Sequence, residues 1–172
     1  MAFLFDTLRI KRVPDLTAYN RPFAAMGKGK QDAKRMKKPD ARLFDAISSR
    51  SDLSDSAEQF LAQRFMIEAL GRVTNQLPLI AQTAAATANR FITGAASADE
   101  VIEERVRLWN AIEGRDLSNE PEVLKIRTAI CVLHPMELAV AGEALEYFFA
   151  FWQRGGLGLP ELRAAVENKY GF

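Results

Sequence analysis

The chain has 172 residues, of which 48% are hydrophobic, and 23 Lys/Arg against 22 Asp/Glu give a net charge of +1. It is long enough to bury a core of its own, since a domain of about 150 residues removes roughly 70% of its surface from water on folding. The single cysteine, Cys131, excludes a disulfide within the chain, and the single histidine, His134, excludes every metal site that needs two His ligands.

Charge is divided unevenly along the chain. Residues 1–42 hold 11 Lys/Arg against 4 Asp/Glu, a net of +7, whereas residues 43–172 hold 12 against 18, a net of −6. We therefore predict a basic, partly irregular N-terminal arm over 1–42 and a helical bundle domain over 43–172. Within the arm, only residues 4–13 could form a strand. Asp6 and Arg9 interrupt its first apolar stretch, which argues against a signal peptide and favours a cytoplasmic protein.

Six basic residues lie within eleven positions near the end of the arm. They are Lys28, Lys30, Lys34, Arg35, Lys37 and Lys38. Such a cluster can bind phosphates, but no aromatic side chain is interleaved to stack on bases, and Asp32 interrupts the run. Three interpretations stay open: a solvated loop, a surface that docks on an acidic protein or on this protein's own acidic body, and a nucleic-acid-binding arm.

Regular helix starts and stops follow the arm. Pro39 precedes a short amphipathic segment that ends in the loop 48–51. Asp55, with Glu58 three residues later, predicts the capped start of a second helix. Apolar residues at helical spacing continue to Leu77, so we expect the helix to extend to that point.

Proline and glycine delimit the next two helices. Pro78 interrupts the apolar pattern and, because proline is tolerated at the first helical position, predicts a third helix from there to Gly94. Ser97 and Glu100 form the clearest capping box of the chain. They predict a fourth helix, which has its apolar residues on one side and Gly114 behind it.

Three more helices are predicted towards the C-terminus. Asn119 and Pro121 start one, and His134 and Pro135 mark its end or a kink, because a residue before a proline is pushed out of the helical region. A long helix over 136–153 stops at the glycine pair that follows it, and residues 160–169 form the last. No convincing run of alternating strand residues appears in this domain. We therefore predict an all-α, single-domain bundle of about six to seven helices around a central hydrophobic helix.

The helix over 136–153 is apolar on nearly every side, because its aromatic residues point around the whole helix axis. These residues are Tyr147, Phe148, Phe149, Phe151 and Trp152. We expect this helix at the centre of the domain, and the alternative is that it forms half of a homo-oligomer interface. Its carboxylates argue against a membrane span. Glu143 and Glu146 need partners or a ligand if they are buried, and need nothing if they are exposed.

The fourth helix carries the densest acidic cluster of the chain. It consists of Asp99, Glu100, Glu103 and Glu104. Acids in the first turn of a helix gain about 0.3 to 1 kcal/mol from the helix dipole. The like-charged pair Asp99 and Glu103 loses only about 0.2 to 0.5 kcal/mol. Helix stability thus explains most of the cluster, and the alternative is a face that receives a basic partner.

Cys131 and His134 lie one helical turn apart and are the only pair that suggests nucleophilic chemistry. The apolar neighbours of Cys131 predict a buried thiol, and the position of His134 beside Pro135 predicts a cap for the preceding carbonyl groups. We expect no catalytic residue, no bound metal and no cofactor.

An Ala-rich helix that ends in an aromatic residue and a glycine is followed by a Ser/Glu-capped helix. The residues concerned are Ala84, Ala88, Phe91, Gly94, Ser97, Glu100 and Val101. In this stretch the chain resembles the all-helical immunity proteins of bacterial polymorphic-toxin systems. The resemblance implies a cytosolic, non-catalytic antagonist that binds one toxin tightly, and it carries over no catalytic residue.

The sequence favours an interaction protein over an enzyme. We expect a cytoplasmic, non-catalytic protein that binds a specific protein partner, such as a toxin or effector, in an immunity or a chaperone/adaptor role. The acidic cluster and the basic segment are the candidate partner-binding residues, and they would supply steering and specificity. The alternative is a nucleic-acid-associated regulatory protein that uses Lys28 to Lys38. A third hypothesis, an enzyme with a carboxylate site in the bundle, has no motif behind it.

Overall fold

The computed structural model describes residues 38–134 and 141–171. Every regular element in these residues is helical, which confirms the predicted all-α class. The helices are α1 (Lys38–Ser48), α2 (Ser56–Arg72), α3 (Ala84–Ile92), α4 (Ala98–Ala111), α5 (Pro121–Val132), α6 (Ala141–Arg154) and α7 (Leu159–Tyr170). Two short 3-10 helices, Thr74–Gln76 and Leu79–Ala81, connect α2 to α3. The strand considered at residues 4–13 and the predicted helix start at residue 136 lie outside the described residues.

Two of the predicted helix starts, those at Asp55 and Ser97, are confirmed by their capping contacts. The Asp55 carboxylate accepts hydrogen bonds from the backbone N–H groups of Ala57, at 2.7 Å, and Glu58, at 3.3 Å. At α4, Ser97 and Glu100 form both hydrogen bonds of the capping box. These contacts satisfy N–H groups that have no partner within the helix, so each start is fixed locally.

Helix α2 ends at Arg72, so its predicted extension to Leu77 is wrong. The apolar pattern continues beyond the helix because Val73 and Leu77 are buried in the core from non-helical positions. Here the Gln76 side chain accepts a hydrogen bond from the backbone N–H of Gly158 at 3.1 Å. A contact with a distant part of the chain therefore accompanies the change from α-helix to 3-10 helix.

Helix α3 starts at Ala84, and the prediction that it begins at Pro78 is also wrong. The carbonyl oxygen of Ile80 accepts a hydrogen bond from Arg107 of α4 at 2.6 Å. In a continuous helix that oxygen would accept from the N–H of Ala84. The predicted end of α3 is confirmed by Gly94, which takes φ = +75° just beyond it.

Helices α5 and α6 form the centre of the bundle. Nine of the twelve residues of α5 are buried, and the helix packs against α2, α3, α4 and α6. Helix α6 lies beside α5 and also contacts α1 and α2. The predicted central hydrophobic helix is therefore present in α6, and α5 is enclosed together with it.

The aromatic residues of α6 are buried inside the chain. Phe148, Phe149, Phe151 and Trp152 are each at most 2% exposed. Phe65 of α2 stacks on Phe149 at 5.7 Å between ring centroids and meets Phe148 edge-on at 6.0 Å. These four rings form core contacts within one chain, which favours the central-helix interpretation. A homo-oligomer through this helix stays a prediction.

Helix α1 packs its apolar side on this core. Ile47 is fully buried, and the ring of Phe44 lies 5.9 Å from that of Phe149. Because α1 begins at Lys38, the domain boundary predicted at residue 42 falls inside a helix. None of the described helices combines the length and the apolar character that a membrane span requires.

Candidate functional site

The acidic cluster of α4 separates into residues with structural contacts and residues without them. Glu100 accepts the N–H of Ser97 at 3.1 Å in the capping box and pairs with Arg90 of α3 at 3.0 Å. These contacts link the start of α4 to the end of α3. Glu100 is therefore accounted for by helix capping and by the α3–α4 junction.

Glu104 is also engaged within the fold. Its carboxylate accepts a hydrogen bond from the Thr83 hydroxyl at 2.6 Å and pairs with Arg107 at 2.7 Å. Arg107 donates onward to the carbonyl of Ile80, which holds the segment before α3 against α4. Glu104 is therefore part of the packing between these elements.

Asp99 and Glu103 differ from these two acids. Both are exposed, and neither forms a hydrogen bond or an ion pair in the described part of the chain. Asp99 lies in the first turn of α4, where the helix dipole favours an acid. Glu103 lies beyond that turn and one turn from Asp99, so the dipole does not account for it. The structure thus reduces the predicted acidic surface to these two side chains.

The basic segment contributes little to the described structure. Lys28, Lys30, Lys34, Arg35 and Lys37 lie outside the described residues. Lys38 is described only as the first residue of α1. The predicted role of this segment in partner binding or nucleic-acid binding stays a prediction.

The buried side of α4 faces a cleft that sequence reasoning missed. Its volume is about 210 Å³, and α2, α3, α4 and the C-terminal end of α5 enclose it. Seven of the residues that line it are apolar: Ala88, Phe91, Ala98, Val101, Ile102, Val132 and Leu133. The polar ones are Gln63, Arg105 and His134. The cleft is thus an apolar space with three polar groups, which is the composition of many ligand sites.

Arg105 is the charged group of this cleft. Arg105 is only 6% exposed, and its Nε atom has no hydrogen-bond partner. Burial lowers the pKa of the guanidinium, and no neighbouring charge offsets that effect. An arginine still stays protonated at neutral pH, so the cleft contains a buried positive charge without a carboxylate beside it in the described residues.

His134 lines the cleft just after α5. Burial lowers its pKa to about 4, with a further contribution from the positive charge of Arg105. The imidazole is therefore neutral at neutral pH. The Gln63 side chain approaches the His134 carbonyl oxygen at 3.5 Å, and the His134 N–H donates to the carbonyl of Cys131 at 3.4 Å. The backbone of His134 thus helps to close the end of α5.

Cys131 is not part of a nucleophilic pair. The residue is fully buried, and burial raises the pKa of its thiol to about 12. A thiol with such a pKa stays protonated and is a poor nucleophile. The prediction of a buried thiol is confirmed.

A second buried arginine, Arg127 of α5, differs from Arg105 in its surroundings. Its guanidinium carbon lies 4.0 Å from the centre of the Phe151 ring, a cation–π contact. Burial and the charge of Arg154 lower its pKa, while Cys131, Asp116 and Tyr147 act in the opposite direction. Arg127 therefore has compensating neighbours in the core, which Arg105 lacks.

The two carboxylates of α6 do not belong to the cleft. Glu143 is exposed and Glu146 is half-buried. The pKa of Glu146 is raised by burial and by the charge of Glu143. Neither residue lies with His134 among the described lining residues. In the described ranges, no group of His, Cys, Asp and Glu side chains has the arrangement of a metal site.

Helical spacing contains a signal that could have found Arg105. It lies four residues after Val101 and three before Leu108, and both of these are buried. A charged residue in such an apolar stripe is buried with its neighbours. The sequence does not reveal which groups from α2, α3 and α5 surround it.

No protein-family model, no curated protein and no solved structure matches the chain.

Proposed function

We propose that the protein is a non-catalytic interaction protein that binds a specific protein partner through the exposed acidic side of α4. An immunity role, in which the partner is a toxin, and a chaperone or adaptor role both fit this proposal. The observation that carries it is the contrast within the acidic cluster. Glu100 and Glu104 have partners in the fold, whereas Asp99 and Glu103 are exposed without one in the described residues.

The pair Asp99 and Glu103 costs stability in the isolated chain. Like charges at positions i and i+4 destabilise a helix by about 0.2 to 0.5 kcal/mol. A basic partner surface would turn this repulsion into a favourable contribution and would also steer the encounter. Exposed charges of this kind mainly raise association rates, so binding should weaken as salt is added.

The test is capture of the partner by the tagged full-length protein from the lysate of its native cell, treated with nuclease. The variant D99K/E103K changes the proposed surface without removing a contact of the described fold. The control E122K/E167K reverses two exposed acids elsewhere, one in the first turn of α5 and one in α7. Both double variants change the net charge equally.

We expect one stoichiometric protein in the wild-type and control eluates, and at least a tenfold lower yield with D99K/E103K, as for the loss of about 1.4 kcal/mol of binding free energy. Equal capture by both double variants would contradict the assignment of the surface. Nucleic acid that is captured before nuclease treatment and lost at high salt would instead favour the basic segment as the binding element.

A further inference from the structure

The cleft beside α4 combines a buried positive charge with an apolar lining. We propose that it binds a small organic monocarboxylate, with the carboxylate on the Arg105 guanidinium and an apolar body against α3 and α4. This ligand site is separate from the proposed protein-binding surface, because Asp99 and Glu103 lie on the exposed side of α4. It therefore does not depend on the proposed function.

Arg105 indicates the charge of the ligand. The residue is more than nine-tenths buried, and its guanidinium forms no hydrogen bond or ion pair with the described residues. Buried charges in proteins are paired or hydrogen-bonded, because removing them from water is unfavourable. A guanidinium donates two parallel N–H bonds to a carboxylate, which satisfies both groups at once.

The polar neighbours agree with a ligand of one negative charge. His134 is neutral at neutral pH, because burial and the charge of Arg105 lower its pKa to about 4. Gln63 is buried and lies on the α2 side of the cleft. Arg105 is therefore the one full charge among the described lining residues, and a dianion would bring a second negative charge without a partner.

The lining indicates the body of the ligand. Ala88, Val101, Val132 and Leu133 are buried, whereas Phe91, Ala98 and Ile102 are partly or fully exposed and mark the open side. A hydrated inorganic anion would leave these apolar walls without a partner. The cleft has a volume of about 210 Å³, which gives room for a small organic molecule. Benzoate and hexanoate are small monocarboxylates with an apolar body and are suitable probes.

The surroundings of the other buried arginine, Arg127, support the assignment of Arg105 to a ligand site. Arg127 has the Phe151 ring at 4.0 Å and the charge of Asp116 nearby, so the core itself offsets part of the cost of its burial. Arg105 has neither a cation–π contact nor an ion pair among the described residues. Of the two arginines that are buried in the described residues, one packs in the core and the other borders an accessible space.

The experiment is a titration of the full-length protein with benzoate, followed through the side-chain Nε–H signal of Arg105 by NMR and through the thermal midpoint. Benzamide is the matched neutral control, and sulfate is the control for a simple anion effect. We expect a Kd for benzoate of about 0.1 to 1 mM. Benzamide should bind about 10- to 100-fold more weakly, because it lacks the charge that pairs with the guanidinium. Sulfate should leave the Nε–H signal unchanged.

Three variants locate the binding. R105M should weaken benzoate binding about 10- to 100-fold. R105K should weaken benzoate binding less, because the lysine keeps the positive charge and loses only the two parallel N–H donors of the guanidinium. R163M changes an exposed arginine of α7 that forms no hydrogen bond or ion pair in the described residues, and it should bind benzoate as the wild type does. Without ligand, R105M should have a higher thermal midpoint than the wild type, because it replaces an unpaired buried charge with an apolar chain.

Equal affinities for benzoate and benzamide would overturn the proposal, and so would unchanged benzoate binding by R105M. A lower thermal midpoint of ligand-free R105M would also overturn it, since the guanidinium would then have a stabilising partner within the chain. Partner capture by R105M separates the two proposals. Capture at the wild-type level together with lost benzoate binding would support two independent sites.

Discussion

Removal of the Glu68 carboxylate should destabilise the protein at neutral pH and flatten its stability below pH 4.5. Glu68 lies on α2 and connects this helix to α7. Its carboxylate pairs with Lys169 at 2.8 Å and with Arg72 at 2.8 Å, and it accepts two hydrogen bonds from Asn168 at 2.8 and 3.0 Å. The side chains of Glu68 and Lys169 are only 22% and 19% exposed. The ion pair is therefore partly shielded from solvent.

The magnitude follows from the pKa of Glu68. Burial by itself would raise this pKa, but the hydrogen bonds from Lys169, Arg72 and Asn168 outweigh burial and lower it from 4.5 to about 2. By linkage, such a change corresponds to at most about 3 kcal/mol of stability at neutral pH. Screening by solvent reduces the contribution of a surface pair, so we expect about 1 to 2 kcal/mol.

The sign of the pH effect is fixed by the lowered pKa. The contribution is complete above about pH 4.5 and disappears as the pH falls from 4.5 through 2, because the folded protein must then take up a proton that the unfolded chain already holds. In the E68Q variant the group does not titrate. The difference in unfolding free energy between wild type and E68Q should therefore shrink over this range.

The assay is urea unfolding of wild type and E68Q at a series of pH values. E167Q is the matched control, since Glu167 is an exposed acid of α7 without a hydrogen bond from its side chain in the described structure. A double-mutant cycle with K169M isolates the pair. The reasoning would be refuted if the wild-type and E68Q curves stayed parallel, or if E167Q lost as much stability as E68Q.

Three further predictions concern other parts of the chain. Ser97→Ala should reduce the free energy of unfolding by about 1 kcal/mol because it removes the α4 cap, whereas Ser56→Ala should have little effect, and equal losses would contradict this. Cys131 should react with a disulfide reagent only after urea unfolding, since burial raises its pKa to about 12, and rapid labelling of the native protein would contradict this. If the basic segment binds nucleic acid, its alanine variant should reduce the slope of log K against log salt by about 3 to 4, and an unchanged slope would exclude this role. The substituted residues are Lys34, Arg35, Lys37 and Lys38.

Features that depend on neighbouring residues in the chain could be predicted. Asp55, Ser97 and Pro121 mark the helix starts because side-chain caps and a proline at the first position act over three or four residues. Gly94 and Gly156 end helices because they adopt positive φ values. The helical spacing of the apolar residues between these starts and stops predicted an all-α bundle.

The segment between α2 and α3 shows where local rules end. Pro78 is compatible with a helix start. However, the Ile80 carbonyl oxygen accepts a hydrogen bond from Arg107, and the Gln76 side chain accepts one from the backbone N–H of Gly158. Both partners come from other elements. The choice between α-helix and 3-10 helix here depends on these tertiary contacts, so the sequence pattern alone favoured the wrong start.

The candidate sites divide in the same way. The sequence by itself determined the helix class, the acidic cluster of α4, the burial of Cys131 and the separation of charge along the chain, because each depends on residue type and local spacing. Only the tertiary structure decided which acids remain exposed without a partner, and that Arg105 borders a cleft without a carboxylate nearby in the described residues. Partners of a charged group are supplied by elements distant in sequence, and no local pattern records them.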